Sequence, residues 1–350
     1  MTLERILSYA EAILEATEGE MARDPSVIVM GLAVDDPKPI YGTTRGLRER
    51  FGAERCFNTP LSEDGMTGVA IGAALAGLRP IHVHIRMDFL LLAMNQLVNI
   101  AAKSRYMYGG TVSVPIVVRA IIGKSWGQGA QHSQGLQSFF MHVPGLKVMA
   151  PSTPYDAKGA LLAAIRDDNP VIFVEHRLLH GTRGHVPEAL YTVPFGRART
   201  VAAGTDLTIV AISYMVVEAL RAQRLLEREG IAAEVIDPVS LSPLDAGAIE
   251  KSVRKTGRLL VVDCGWTTCG ASAEIVAAVT ERLQGVVDVR VRRMGFAPVV
   301  CPTTKPLENL FYPDPRRIAS AAWALVHGKP EGWTPTEDAE PETVEFKGPF

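Results

Sequence analysis

Short apolar runs rich in Val and Ile recur at 26–31 (SVIVMG), 79–85 (RPIHVHI), 114–122 (VPIVVRAII), 146–150 (LKVMA) and 170–176 (PVIFVEH). Runs that stay apolar through both faces are what strands buried on both sides of a parallel sheet require. Met87 to Tyr106 and Tyr155 to Arg166 lie between them with apolar residues at helical spacing, and the first 24 residues share that spacing. The stretch 181–206 then breaks the rhythm with Gly, Pro and turn residues and reads as a linker. A second series follows: strands at 207–213, 233–238, 258–263 and 287–293, and helices through Glu229, to about Lys255, from Ala271 to Leu283 and from Pro315 to His327. Strands alternating with helices predict two parallel-sheet α/β domains, over 1–180 and 207–328, with a Pro-rich acidic tail over 329–350.

Composition narrows the function classes. The chain has 350 residues, 36 basic and 38 acidic side chains, and a formal net charge of −2. No long-range field invites nucleic acid or an anionic membrane, and no apolar stretch approaches the roughly 20 residues of a membrane helix. The Glu-rich amino terminus lacks the apolar core of a signal peptide and reads as the first helix of the fold. Cys56, Cys264, Cys269 and Cys301 are scattered without a CxxC pair, as expected of reduced thiols in a cytoplasm. There is no internal repeat and no GxxxxGK[ST] or GxGxxG loop.

Candidate chemistry concentrates at NTPLSEDGMTGVAIGAALAG, residues 58–77. Ser62 is a good helix N-cap, and Gly65, Gly68, Gly72 and Ala76 follow along one helix face. Interior glycines cost about 1 kcal/mol each relative to Ala, so such a face implies close approach of another helix or a flat ligand. Glu63 has two readings: a first-turn carboxylate favoured by the helix dipole, or a sheltered acid that exchanges a proton with a heteroaromatic nitrogen. Asp64 is a solvated first-turn carboxylate. His132 sits in a Gly- and Gln-rich loop after a strand, a usual place for working side chains. His82 and His84 share a strand face, but no third ligand is near in sequence to complete a metal site.

These stretches, with QLVNIAAKSRYMYGG (96–110), QHSQ (131–134), HVPGLKVMAPSTPYDAKGALLAAIRDDNPVIFVEH (142–176), VDCGWTTCGASAEI (262–275) and PLENLFYPDPRRI (306–318), resemble the β subunit of the thiamine-diphosphate-dependent 2-oxo acid dehydrogenase E1 component. The resemblance spans nearly the whole chain to about residue 327. It implies a transketolase-like pyrimidine-binding domain followed by a transketolase C-terminal domain. It further implies that Glu63 hydrogen-bonds the pyrimidine nitrogen of thiamine diphosphate, that Phe89 packs on that ring, and that His132 guides proton transfer and acyl handover. His142 also has a family counterpart, taken here as structural. Ile116, Ala164, Ile165, Asp167 and Asn169 match a monovalent-cation site, for K+ or Na+, at the carbonyl-rich end of a helix; without the resemblance they read as a plain C-cap.

The motif that holds Mg2+ and the diphosphate is absent from this chain. The resemblance therefore implies an E1 α subunit that carries it, in an α2β2 heterotetramer, and a lipoyl acyltransferase E2 as further partner. Two departures stand out. Leu32 occupies a position where many members carry Glu, and Ile85 and Arg86 precede the ring-packing aromatic. Arg86 either pairs with an acidic substrate or acceptor or faces solvent. The expected activity is oxidative decarboxylation of a 2-oxo acid with acyl transfer to a lipoyl protein. Transfer to a non-lipoyl acceptor and a non-catalytic assembly role are the alternatives.

Overall fold

The computed structural model describes residues 5–36, 40–123, 127–329 and 332–336. Most of the tail expected over 329–350 lies outside them. The apolar runs form two sheets. The first has seven strands in the order Ser240–Ser242, Lys147–Met149, Val171–His176, Val117–Ile122, Arg79–His84, Val27–Gly31 and Cys56–Asn58. All its pairs are parallel except Ser240–Ser242 on Lys147–Met149. The second runs Arg290–Phe296, Arg258–Trp266, Leu207–Ala211, Ala233–Asp237 and Arg199–Ala202, parallel except for that last strand. Each expected parallel sheet thus ends in one antiparallel edge strand. Val27, Val29, Ile81, Val118, Phe173, Ile209 and Val261 are fully enclosed, the burial on both faces that their apolar runs demand.

The remaining differences have local causes. The amino-terminal helix starts at Tyr9 because Ser8 caps it, with a reciprocal bond from Ser8 N–H to Glu11. Ile6–Ser8 before it pairs with Arg183–His185, so the stretch read as a linker contains two short strands. Ser240–Ser242 leaves the second series and extends the first sheet, a long-range crossing invisible to local pattern. The single helix expected over Met87 to Tyr106 is broken into Met87–Leu90, a 3₁₀ turn, a π-helical segment Gln96–Ala101 and Ala102–Met107. Such π segments are frequent near functional sites. The strand expected at 287–293 lies at Arg290–Phe296, and Pro315–His327 is helical as expected, capped by Asp314.

Candidate active-site cleft

Strand Val27–Gly31 is followed in sequence by Cys56–Asn58 on one side of it and by Arg79–His84 on the other. Connections therefore diverge at this point, and the crevice beyond the carboxyl ends of these strands is where open α/β sheets bind ligands. A cleft of ≈ 310 Å³ occupies it, lined by Leu32, Leu61, Glu63, His84, Ile85, Arg86, Phe89, Gln128 and His132. Positions separated by up to 100 residues meet there because they lie at the carboxyl ends of the strands, in the loops that follow them or in the first turn of the next helix.

Glu63 opens helix Glu63–Leu75, half-buried in the cleft. No hydrogen bond or ion pair to another described residue engages its carboxylate. Ser62 occupies the N-cap position but its hydroxyl makes no cap bond. The core-facing residues of this helix are Thr67, Ala70, Ile71 and Ala74; Gly65, Gly72 and Ala76 are exposed, and a Cβ at Gly72 would meet nothing. Gly68 is half-buried, with Gln96 3.5 Å from where its Cβ would lie, so the rest of the glycine face points away from this chain's own core. Leu61, Val69, Leu75, Leu92, Tyr106 and Met107 are also exposed.

Phe89 and His132 are held together. Phe89 is 36% exposed and lines the cleft, and the imidazole of His132 stands edge-on to its ring with centroids 5.2 Å apart. Asp88, beside Phe89, accepts hydrogen bonds from Gln134 N at 3.2 Å and Gln134 Nε2 at 2.9 Å, tying the His132 loop to the Phe89 helix. The loop is rich in glycine because the second half of the chain runs against it: a Cβ at Gly127 would fall on the Thr303 carbonyl oxygen, and one at Gly135 on that of Cys264. Gln137 Nε2 adds a buried hydrogen bond to Asp263 Oδ1 at 2.8 Å.

His84 reaches the cleft, although sequence reasoning weighed it only as an incomplete metal ligand and not as a cleft residue. The rings of His82 and His84 meet edge-to-face at 4.3 Å, and neither Nε2 has a hydrogen-bond partner among the described residues. Burial pushes His82 down to about 4 and holds His84 well below the usual imidazole range, so both are neutral at pH 7. Its position at the carboxyl end of a parallel strand was the available signal. No group of three His, Cys, Asp or Glu suited to a metal occurs among the described residues. His142 is exposed at the end of helix Gln137–Met141, in a separate depression with Ser242 and Cys269.

Arg86 does not face solvent: it is 6% exposed, and Leu32 and Ile85 line the cleft with it. Desolvation, reinforced by the charge of Arg177, pulls Arg86 down to about 10, while Tyr41 and Asp88 oppose the fall. Arg177 is 3% exposed and donates from Nη1 to Gln128, a wall residue of the cleft.

The residues matched to a cation site are adjacent at the end of helix Pro154–Arg166. Their carbonyl oxygens already accept hydrogen bonds: Ile116 O from Val171 N at 2.9 Å, Ala164 O from Asp167 N at 3.3 Å, and Ile165 O and Asp167 O from Arg79 Nη1 at 3.0 and 3.1 Å. Asp167 Oδ1 accepts from Asn169 N and Nδ2, both at 2.8 Å, and Oδ2 pairs with Lys147. Each carbonyl keeps a second lone pair, but Lys147 and Arg79 already balance Asp167 and Asp168. This donor set fits a weakly held monovalent ion better than a divalent one.

The fold and cleft define a transketolase-type chain. The family described as "Transketolase, pyrimidine binding domain" matches residues 6–182, and "Transketolase, C-terminal domain" matches 196–318. A solved split-gene transketolase, an inactive β4 tetramer, superposes with a TM-score of 0.74 at 23% identity over 92% of this chain and 98% of its own. The chain is 43% identical to the acetoin:2,6-dichlorophenolindophenol oxidoreductase β subunit of Cupriavidus necator, over 93% of this chain and 98% of that one. It is 42% identical to the mitochondrial pyruvate dehydrogenase E1 β subunit of Pisum sativum, over 92% and 90%. The chain belongs to the family of E1-type β subunits of pyruvate and acetoin dehydrogenases, oxidoreductases that depend on thiamine diphosphate.

Proposed function

We propose that this chain supplies the pyrimidine half of a shared thiamine diphosphate site and acts with an E1 α-type subunit in the oxidative decarboxylation of a 2-oxo acid. The observation that carries the proposal is the convergence of Glu63, Phe89 and His132 on one cleft at the carboxyl ends of the strands. An unengaged carboxylate at a helix start, a partly exposed aromatic ring and an imidazole edge-on to it fit the pyrimidine of that cofactor. When bound, thiamine diphosphate supplies a nucleophilic carbon and takes up the electrons released on decarboxylation.

The chain's residues then have separable tasks. Glu63 holds a proton at the pyrimidine nitrogen, Phe89 packs on the pyrimidine and fixes its plane, and His132 moves a proton at the substrate oxygen and guides transfer of the acyl group to a lipoyl protein. The partner α subunit binds Mg2+ and the diphosphate. Its contact with the exposed glycine face completes the shelter of Glu63, in an α2β2 assembly that a lipoyl acyltransferase E2 can engage. A K+ or Na+ ion at Ile116, Ala164, Ile165, Asp167 and Asn169 would brace the end of helix Pro154–Arg166. The assembly works in the cytoplasm.

The test is co-expression with an α-type chain, addition of thiamine diphosphate and Mg2+, and measurement of 2-oxo-acid-dependent reduction of dichlorophenolindophenol. Turnover that disappears in Glu63→Gln while the assembly persists supports the reading. Cofactor binding without turnover of any 2-oxo acid refutes it. A second reading, transfer to a non-lipoyl acceptor, is favoured by Leu32 and Arg86 on the cleft wall. Acceptor dependence measured with and without a lipoyl domain separates the two.

A further inference from the structure

We propose that His82 and His84 hold one water molecule against Glu63 and so position its carboxylate for the pyrimidine nitrogen. This rests on the shared-cofactor reading above and adds two positioning residues to it.

A second cavity, of ≈ 10 Å³, adjoins the cleft: Leu32, Glu63 and His84 line both, whereas Ser62 and His82 line the small one alone. That volume is about the space of one water. Glu63, His82 and His84 are its titratable lining residues; Arg86 and His132 line the cleft but not this cavity. The two imidazoles stand two residues apart on strand Arg79–His84 and so share a face. They are 2% and 3% exposed, with ring centroids 4.3 Å apart and planes at 73°. Nε2 of each is enclosed and has no hydrogen-bond partner among the described residues. A buried ring nitrogen without a partner is uncommon, because it gives up hydration and regains nothing. Two of them beside one water-sized cavity point to a shared polar occupant. No group of three His, Cys, Asp or Glu suited to a metal occurs among the described residues, and the volume admits nothing larger than water.

Donors and acceptors match that occupant. His82 Nδ1 lies 3.4 Å from the Met30 carbonyl oxygen. A carbonyl only accepts, so Nδ1 carries the proton and Nε2 offers a lone pair. Burial keeps both rings neutral at pH 7, which gives His84 a single N–H to donate. A water that accepts from His84 Nε2–H keeps two protons, one for His82 Nε2 and one for a Glu63 oxygen. Each partner is then satisfied, with about the three bonds typical of a buried water.

The consequence is geometric. Glu63 is bonded to no other described residue, so nothing else in this chain fixes how its carboxylate is turned. A water anchored on two enclosed rings engages one carboxylate oxygen through a charge-assisted bond and leaves the other for the cofactor. The rings themselves are held by the sheet, so the support is rigid.

Two arms test this. The first needs no cofactor: the purified full chain carries isotope-labelled histidine, and long-range proton–nitrogen spectra, assigned with His82→Gln and His84→Gln, report the tautomers. The expected result is a proton on Nδ1 of His82 and on Nε2 of His84, a cross-peak from a bound water to the His84 Nε2 proton, and a shift of both Nε2 resonances in Glu63→Ala with His142 unmoved. A His84 proton on Nδ1, no bound-water cross-peak, or Nε2 resonances unmoved by Glu63→Ala overturns the proposal. The second arm uses the reconstituted α/β enzyme and variants with wild-type circular dichroism. His84→Phe keeps a ring but loses the donor, and should lower kcat roughly tenfold or more, the factor carried by one hydrogen bond to a charged group, with KM for the 2-oxo acid nearly unchanged. His84→Gln retains an N–H and should recover part of the loss. Unchanged kcat in His84→Phe, or a loss that His84→Gln does not relieve, overturns the positioning role while leaving the decarboxylase reading intact. Where the bound water and tautomers are found but no 2-oxo acid is turned over, that reading fails and the water site stands.

Discussion

Replacing Glu175 with Gln removes the only carboxylate from a fully enclosed network behind the cleft. Glu175 and Arg119 are both 0% exposed. Arg119 Nε donates to Oε1 at 2.6 Å, its Nη2 donates to Oε2 at 2.9 Å and to Thr43 Oγ1 at 2.8 Å, and His180 Nε2 lies 3.0 Å from Oε2. Burial alone would push this carboxyl up, but the charge of Arg119 and the hydrogen bonds of His180 and Arg119 outweigh it and hold it down at about 2. Lowering a carboxyl that far from its ordinary value corresponds to about 3 kcal/mol of stability. Stranding one member of a buried pair costs about 3–5 kcal/mol by a separate route. Glu175→Gln should therefore destabilise the chain by about 3 kcal/mol near pH 7, lowering Tm by roughly 5 °C if the chain unfolds as one unit. The sign with pH follows from the depressed folded-state value: the contribution is present above the ordinary carboxyl range and is lost as pH falls through about 2. Urea denaturation at pH 7, 4.5 and 3 should show wild type and variant converging as the solution is acidified. A loss below 1 kcal/mol at pH 7, or a gap that stays constant down to pH 3, would refute the reasoning.

Three further outcomes are expected. Burial and the neighbouring Asp156 push Asp237 up to about 7, and burial pushes Asp263 up to about 6; these raised values make stability fall as pH rises from about 4 through 7, and thermal melts of Asp237→Asn at pH 5 and 8 should lose part of that dependence. Gly135→Ala drives a Cβ onto the Cys264 carbonyl oxygen, so loop and second sheet must part; a loss of more than about 2 kcal/mol is expected, with His132 more open to chemical modification. Gly72→Ala meets nothing in this chain and should stabilise it alone by up to about 1 kcal/mol, yet weaken sedimentation-measured assembly with the α-type chain if that face is the contact.

The cleft residues were legible to different degrees. Glu63 and His132 announce themselves through a glycine-rich helix and a glycine-rich loop, because backbone that must lie close to something else leaves a mark in composition. His84 and Arg177 leave none: each is one residue at the end of an apolar strand, and only strand order puts them beside the cleft. Arg86 could be read locally either as a solvent-facing charge or as a ligand contact, and burial on the cleft wall decided against solvent.

The apolar runs by themselves determined that this chain forms buried parallel strands alternating with helices, since a strand covered on both faces has no place for polar residues. Its small-residue helix face and its punctuated loops were determined in the same local way. Tertiary structure alone decided that Ser240–Ser242 extends the first sheet, that the helix over Met87 to Tyr106 breaks through a π segment, and that Arg86 is buried on the cleft wall. The physical reason is range: periodicity encodes which face of an element is covered, whereas the identity of the covering element depends on contacts between residues far apart in the chain.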